Sequence, residues 1–137
     1  MWYFKGKKIT KIEQFPENSV GFIYCIENLD NGRKYIGKKI LCFKRRVKTT
    51  KKDRTISKKK SKLVISDSGW LGYTGSSAEL NSDILKGDKI KKTILRICHS
   101  KAEMSYYEAK EIFLRECLEK TEYYNKWISV RINQKLL

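Results

Sequence analysis

The chain has 137 residues, which is enough for one domain with a real core and too short for two ordinary domains. Its 31 Lys and Arg residues outnumber 15 Asp and Glu residues, so the formal net charge is +16 and the isoelectric point is about 9.8. This field favours polyanions, most often nucleic acid, over a lysine-rich surface that serves only solubility, because the positive charge is clustered.

The amino-terminal half predicts a β-hairpin. Trp2-Tyr3-Phe4 predicts a short strand, and residues 8–19, which contain the only proline, predict a linker. Val20–Glu27 is an apolar, β-prone run, and Arg33–Phe43 is the expected return strand. Asn31-Gly32 between them is a strong hairpin-turn signal.

A basic block follows from Lys44 to Lys62, with 11 Lys or Arg residues and a single acid, Asp53. Like charges repel one another, so we expect this block to be mobile without a partner, although its first part could begin a helix. Six cations of the block and the preceding Lys39 are candidate contacts to nucleic-acid phosphates. The six are Lys44, Arg46, Lys48, Lys58, Lys59 and Lys60.

Two capping boxes predict helices in the second half. Ser76–Glu79 begins a helix that should end near Gly87, and Ser100–Glu103 begins a longer one that should reach about Lys120. Lys91–Cys98 between them predicts a third strand. The expected apolar face of the longer helix consists of Ala102, Tyr106, Ala109, Phe113 and Cys117.

A last helix is expected from Tyr123 to about Ile132. The order of elements predicts an α+β fold, in which a small three-stranded antiparallel sheet is flanked by helices. We expect a single domain over residues 1–137, with an amino-terminal extension (1–19) and a basic insert (44–62).

The cysteines and the apolar runs argue against three other classes: zinc-binding, membrane-spanning and secreted proteins. No two of the four cysteines form a Cys-x-x-Cys pair and His99 is the only histidine, so a structural zinc site is not expected. No apolar run approaches the roughly 18 residues of a membrane span, and no signal-peptide pattern opens the chain. Reduced cysteines and a cytoplasmic location are expected.

Two segments of the predicted hairpin carry a family resemblance. Gly21-Phe22-Ile23-Tyr24 and Tyr35-Ile36-Gly37 resemble the paired tripeptides of the GIY-YIG nucleases, and the likeness extends over roughly residues 20–133. It implies the same α+β fold, a Mg²⁺ or Mn²⁺ cofactor, and double-stranded or branched DNA as the substrate. The likeness is to phage-type, stand-alone catalytic domains, which would place the protein in the host-cell cytoplasm. The oligomeric state stays open.

The same resemblance assigns residues to the scissile phosphate. Tyr24 would act as the general base or orient the attacking water, and Tyr35 would hydrogen-bond the phosphate. Arg45, ten residues after Tyr35, would grip the phosphate, with Lys38 nearby. An ordinary tyrosine pKa near ~10 makes a poor base, so we expect neighbouring cations to lower the pKa of Tyr24.

Glu108 is the expected metal ligand. It lies in step with Met104 and Ile112, at the edge of the apolar stripe, where a carboxylate needs a partner such as a metal ion. The alternatives are an ordinary surface glutamate at this position, or Glu111 as the ligand. Asn125 completes the family pattern and would also serve as a helix N-cap.

One position departs from the family. Thr49 stands where a His or Tyr is usual, so Tyr73 supplies the missing ring or the role is absent. Tyr73 and Trp70 would stack on a base or close the core, with packing favoured for Trp70. Ser76 and Ser77 are candidate nucleic-acid contacts, since the free backbone N–H groups at Ser77 and beyond could hold a phosphate.

Three functions compete on this reading. A metal-dependent DNA endonuclease leads. A non-catalytic nucleic-acid-binding module of the same fold is the alternative, and Thr49 is its best support. The third is a basic protein that engages acidic protein surfaces. Weak sequence specificity, or recognition of DNA shape, is expected for either of the first two.

Overall fold

The computed structural model of the protein describes residues 1–52, 60–131 and 134. Short 3₁₀ turns lie at Ile12–Gln14 and Trp70–Gly72. The strands and helices are, in chain order, β1 (Trp2–Phe4), β2 (Lys7–Ile9), β3 (Gly21–Asn28), β4 (Lys34–Ile40), β5 (Cys42–Lys48), β6 (Ser61–Asp67), α1 (Ala78–Leu85), β7 (Ile90–Cys98) and α2 (Lys101–Leu114).

Five strands form one mixed sheet in the order β2–β1–β7–β3–β4, in which only β1 and β7 run parallel. The α+β class is confirmed, but the predicted three-stranded sheet is only its central part, β7–β3–β4. The two extra strands have three residues each. Trp2–Phe4 was predicted as a short strand, whereas Lys7–Ile9 overlaps the start of the segment predicted to be a linker, residues 8–19. Strands this short carry no readable alternation, and the neighbouring strand is what stabilises them.

Strand β3 is the centre of the sheet and is covered on both faces. Only Glu27 of its eight residues is not buried, as expected for a continuous apolar run. One face packs into a core with Trp2, Phe15, Trp70, Leu80 and Tyr124. The other packs against Met104 and Ile112 of α2 and against Cys117 just beyond its end. The register with β7 shifts between Ile23 and Tyr24, which pair with Arg96 and Ile94, so that Leu95 of β7 is the residue left without a partner in β3.

Strands β5 and β6 form a separate two-stranded antiparallel ribbon. The chain leaves the sheet at buried Leu41, whose carbonyl oxygen accepts a hydrogen bond from the Ser68 N–H, so the predicted return strand to Phe43 is divided in two. The suggested helical start of the basic block is wrong for residues 44–48, which are strand.

Strand pairing keeps the cations of β5 from lying directly opposite other cations. Like charges directly opposite one another destabilise a ladder. The cations of β5 instead face Ile65, Val64, Leu63 and Ser61 of β6, so that no cation of β5 faces another. Lys58 and Lys59 lie outside the described residues.

Each of the two predicted helices begins with a serine whose side chain caps the first turn. Ser100 caps α2 as predicted, since its Oγ accepts a hydrogen bond from the Glu103 N–H at 3.0 Å. For α1 the cap is Ser77 rather than Ser76, because the Ser77 Oγ accepts from the Leu80 N–H at 3.2 Å.

Helix α2 is shorter and rotated relative to the prediction. It ends at Leu114 because Glu116 has a left-handed backbone with φ of 53°. The buried residues are Met104, Ala109 and Ile112, while Phe113 is 65% exposed. The predicted face through Phe113 is therefore wrong, and the row that contains Met104 and Ile112 is the buried one.

Residues 123–131 form no helix, contrary to the prediction. All four cysteines are free thiols, and Cys25, Cys98 and Cys117 are buried. Within the described ranges, none of the helices is long and apolar enough to cross a bilayer.

Candidate active site

The outer edge of β4 borders an open cleft of about 790 Å³. Because β4 is the edge strand, side chains from both faces of the sheet can reach this cleft. Tyr35 and Lys38 come from β4, Glu108 comes from α2, and residues 124–129 form the far wall. Ser76, Ser77 and Glu79 line the cleft at the start of α1.

Tyr24 and Tyr35 lie on neighbouring strands with ring centroids 6.2 Å apart. Gly37 pairs with Tyr24 across the ladder, and a Cβ atom there would overlap the Tyr24 hydroxyl. A Cβ atom at Gly21 would overlap the Lys39 carbonyl oxygen and the Met104 side chain. The two motif glycines thus permit close contacts, one with Tyr24 and one with α2.

Tyr24 is almost completely buried, with 1% of its surface exposed. Burial raises the pKa of its phenol well above the usual value, and neighbouring Tyr73 and Tyr35 raise it further, partly through a hydrogen bond with Tyr73. The expectation that cations lower this pKa is wrong. A phenol held neutral in this way can donate or share a hydrogen bond but is a poor base.

Tyr73 supplies a ring beside Tyr24, in a T-shaped contact at 6.0 Å between centroids. The Lys39 ammonium lies 4.2 Å from the Tyr73 ring centroid, which is a cation–π contact. Thr49, at the usual ring position, is buried. Trp70 is 3% exposed and packs in the core, as favoured from the sequence.

The turn that carries Tyr73 is held by two side chains that sequence reasoning did not identify. The Lys92 Nζ donates hydrogen bonds to the carbonyl oxygens of Leu71 and Tyr73, at 2.8 and 2.9 Å. The Trp2 Nε1 donates to the Trp70 carbonyl oxygen at 2.8 Å. Burial lowers the pKa of Lys92 to about 8, so above that pH most of the amine is neutral and the two hydrogen bonds are no longer assisted by its charge.

The Tyr35 hydroxyl shares a 2.8 Å hydrogen bond with the Ser76 Oγ. Gly75, with φ of 84°, allows this approach, because a Cβ atom there would lie 3.1 Å from the Tyr35 ring. Burial raises the pKa of Tyr35, and the Ser76 hydrogen bond partly opposes that rise. Both hydroxyls are therefore neutral hydrogen-bonding groups near the cleft.

Glu108 lies between Met104 and Ile112 on the buried row of α2. Burial raises the pKa of its carboxyl group, against the opposing effects of the Lys38 charge and a backbone hydrogen bond with Lys38. The Lys38 Nζ donates to the Ser105 Oγ at 2.8 Å. The rival Glu111 forms an ion pair with Arg115 at 2.8 Å instead.

The side chains available as metal ligands limit which cation could bind in the cleft. Among the described residues, no group of three or more His, Cys, Asp and Glu side chains could enclose an ion. Glu79, the other carboxylate in the cleft, is engaged by Arg33 and Lys126. A single carboxylate, Glu108, fits Mg²⁺, which keeps several waters and is commonly bound by one or two carboxylates plus substrate phosphates.

Asn125 is fixed to the backbone of β4. Its Oδ1 accepts from the Ile36 N–H at 3.0 Å and its Nδ2 donates to the Ile36 carbonyl oxygen at 2.8 Å. The predicted N-cap role is wrong, because no helix follows. Both ends of the amide are used, so Asn125 satisfies an otherwise open strand edge and positions the wall of the cleft.

Replacing Asn125 with Ala should lower the free energy of unfolding by about 1–3 kcal/mol, because it leaves a buried N–H and C=O of Ile36 unpaired. Urea unfolding of the purified variant measures this loss. Asn125→Asp should be at least as destabilising at neutral pH, since a carboxylate oxygen would replace the donor that faces the Ile36 carbonyl. Wild-type stability in Asn125→Ala would contradict the assignment.

The predicted phosphate-gripping Arg45 lies away from this group. It is exposed on β5 opposite Val64, and the predicted helix around it is absent. Arg45 is not among the described residues that line the cleft. Lys44, Arg46 and Lys48 point to the opposite face of the ribbon from Arg45, and Lys60 is exposed just before β6.

Two residues of the far wall, Lys126 and Trp127, were missed from the sequence. Trp127 is 84% exposed and lines the cleft. The available signal was an aromatic residue next to a cation, two positions beyond Asn125.

The fold and site together define a class: a basic α+β domain whose edge strand presents Tyr35 and Lys38 to a cleft that also receives the helix carboxylate of Glu108, with the buried phenol of Tyr24 on the neighbouring strand. The family model described as "Putative endonuclease segE, GIY-YIG domain" matches residues 2–128. The chain therefore belongs to the GIY-YIG endonuclease family. No curated protein and no solved structure gives a significant match.

Proposed function

We propose that the protein is a DNA endonuclease that hydrolyses phosphodiester bonds with Mg²⁺ or Mn²⁺. The observation that carries this proposal is Glu108, a carboxylate with a pKa raised by burial, at a cleft shared with Tyr35 and Lys38. Simple binding of DNA gives no reason to place a carboxylate there, since it would repel a phosphate unless a cation lies between them.

Each residue of the cleft has a role in this proposal. Glu108 would hold the divalent cation, which polarises the phosphate and stabilises charge on its oxygens. Tyr35, oriented by Ser76, donates its hydroxyl proton in a hydrogen bond to a phosphate oxygen. Lys38 adds positive charge near the same oxygens.

Tyr24 and Tyr73 would order the attacking water. The neutral Tyr24 phenol can accept one hydrogen bond and donate another, so it orients the water without removing a proton. For Asn125 we propose a positioning role, through Ile36 next to Tyr35. For Arg45, which is exposed on the ribbon, we propose a contact with the DNA backbone rather than with the scissile phosphate.

The ribbon β5–β6 is the proposed DNA-binding arm. Lys44, Arg46 and Lys48 lie on one face, spaced by about 6.8 Å because a strand rises about 3.4 Å per residue. A two-stranded ribbon fits the major groove of B-DNA. We also assign phosphate contacts to Lys39, Lys60, Ser76 and Ser77, and to Lys58 and Lys59, which lie outside the described residues.

Replacing Lys44, Arg46 and Lys48 together with Ala should weaken DNA binding and lower the slope of log K against log salt by up to about 2.7, or 0.9 per lost phosphate contact. Titrations of labelled duplex at several salt concentrations measure the slope. The matched control removes three exposed lysines from the far edge of the sheet, Lys7, Lys8 and Lys11. Equal changes of slope in the two variants would remove the ribbon from the proposed interface.

Cleavage of supercoiled plasmid in Mg²⁺, in Mn²⁺ and in EDTA tests the proposed activity. Nicked or linear product in the metals and none in EDTA is the expected result. Tight, salt-sensitive binding without cleavage of plasmid, nicked or branched DNA would favour the non-catalytic module. A phage origin, and with it a place in the host-cell cytoplasm, is proposed from the resemblance and awaits genomic context.

A further inference from the structure

Trp127 is held at the cleft by anchors on both sides. Before it, Tyr124 N–H donates to the Lys34 carbonyl oxygen at 2.7 Å and Asn125 is bonded twice to Ile36. After it, Ile128 packs against the core beneath α2. The ring of Trp127 is nevertheless 84% exposed, so it projects from a fixed backbone rather than from a loose tail.

This exposure is unusual within the chain. The other two tryptophans, Trp2 and Trp70, are 0% and 3% exposed. Tryptophan is highly buried on average, because its ring contributes more apolar area than other side chains. A ring left in water beside a reactive cleft is therefore an unpartnered contact surface.

The charge around the ring indicates what covers it. Lys126, whose Nζ lies 3.3 Å from the Glu79 carboxylate, precedes Trp127, and Lys38 lies in the same cleft near Glu108. The chain as a whole carries a net charge of +16. A flat aromatic face beside cations matches a nucleobase attached to a phosphate backbone, since every base has a π-face and every nucleotide a negative charge. An apolar protein partner would not need the cations.

We infer that Trp127 stacks on an unpaired base next to the phosphate that enters the cleft, and that DNA with a displaced or missing partner base is the preferred substrate. In an intact duplex both faces of each internal base are covered by its neighbours. Only a bulge, a gap, a branch or an end offers a free face to an indole ring. The inference rests on the proposed function only for the position of the reacting phosphate.

Intrinsic fluorescence offers a direct test, because Trp127 is the one solvent-exposed tryptophan of the three. Glu108→Gln protein is titrated with two duplexes of equal length, one fully paired and one with a single-nucleotide bulge. Iodide quenches only solvent-exposed tryptophan, so the emission that it can quench comes from Trp127. Stacking on the bulged duplex should quench this part of the emission, and the paired duplex should quench it much less. The same titration of wild-type protein in EDTA keeps the test independent of the Glu108 variant.

Two substitutions separate stacking from folding. Trp127→Ala should weaken binding of the bulged duplex by about 10-fold or more, and Trp127→Phe should weaken it less, because a phenyl ring still stacks. Binding of the paired duplex should stay within a few fold in both. The exposed ring makes no core contact that the substitutions would remove, and thermal unfolding verifies that both variants are folded.

Equal quenching by the two duplexes, or bulge binding unchanged in Trp127→Ala, would overturn the inference. So would quenching that depends on protein concentration without DNA, since that would place a second copy of the chain on the ring. If wild type cleaves plasmid yet shows no bulge-dependent quenching, the inference fails and the nuclease proposal survives. If bulge-dependent quenching occurs without any cleavage, the nuclease proposal fails and the stacking site stands.

Discussion

Glu108→Gln should lower the rate of Mg²⁺-dependent plasmid cleavage by about 100- to 1000-fold while DNA affinity in EDTA stays within a few fold. The substitution keeps the shape and burial of the side chain but removes the only charge proposed to hold the cation. Losses of this size are typical when charge stabilisation at a developing oxyanion is removed. Single-turnover cleavage and equilibrium binding, measured on the same preparation, separate the two effects.

Glu111→Gln is the matched control, because Glu111 lies one turn further along the same helix. It is engaged by Arg115 in a partly exposed ion pair that is worth less than about 1 kcal/mol. Its cleavage rate should stay near that of wild type. Loss of cleavage in Glu111→Gln together with retention in Glu108→Gln would transfer the metal role to the rival residue.

The stability of Glu108→Gln carries independent information. The folded-state pKa of Glu108 is raised, so the folded protein binds more protons than the unfolded chain between the ordinary pKa and the folded pKa. Stability contributed by this group therefore falls as pH rises through that window, and the deficit persists at pH 7. Glutamine cannot ionise, so the variant should be at least as stable as wild type at pH 7.

The same shift predicts the acid side of the cleavage profile. Only the ionised carboxylate binds a cation, so cleavage should decline on acidification at a pH above the ordinary glutamate pKa of about 4.3. Rates measured at fixed Mg²⁺ across the acid range give this midpoint. Because binding of the cation favours the ionised form, higher Mg²⁺ should move the midpoint to lower pH.

Features with a local cause could be predicted from the sequence. The run through Gly21–Asn28 is apolar at nearly every position, and a turn signal follows it, so the central hairpin was readable. The helix starts could be predicted because each capping serine accepts a hydrogen bond from a backbone N–H only three residues further along the chain. The family motif could be recognised because both of its segments lie in that same hairpin, where Gly37 pairs with Tyr24.

Features with a distant cause could not be read in this way. Asn125 was recognised as a site residue, but its partner Ile36 is 89 residues away in the sequence, so a helix cap was the expected role. The pKa of Tyr24 was predicted in the wrong direction because the cations are close in sequence, whereas burial acts through residues brought together by folding. Arg45 was assigned by its spacing from Tyr35, and the structure places it on β5 opposite Val64, outside the set of described residues that line the cleft.

Gly37→Ala should cause the largest combined loss, in stability and in cleavage. The added Cβ atom would overlap the hydroxyl and ring of Tyr24, which is buried between Tyr35 and Tyr73 and has little room to move. Overpacking of this kind costs about 1–3 kcal/mol. Displacement of the phenol should also lower cleavage by about 100-fold or more, as expected when a positioning contact shifts by an ångström. Chemical denaturation and single-turnover cleavage measure the two losses.

Gly72→Ala is the control for Gly37→Ala, because nothing lies within 4 Å of a Cβ atom at that position. It should leave both stability and cleavage near wild type. If any replacement of glycine by alanine were harmful in this fold, Gly72→Ala would lose stability and cleavage as Gly37→Ala does.

The double variant Gly37→Ala with Tyr24→Phe separates the steric effect from the chemical one. Tyr24→Phe alone removes the hydroxyl, so it should lower cleavage strongly and change stability little, since the buried ring remains. In the double variant the missing hydroxyl relieves part of the overlap, so stability should recover relative to Gly37→Ala while cleavage stays low. The two substitutions touch the same contact, and a non-additive free energy of unfolding is the sign of that contact. Strict additivity would mean that Gly37 is required for something other than space for Tyr24.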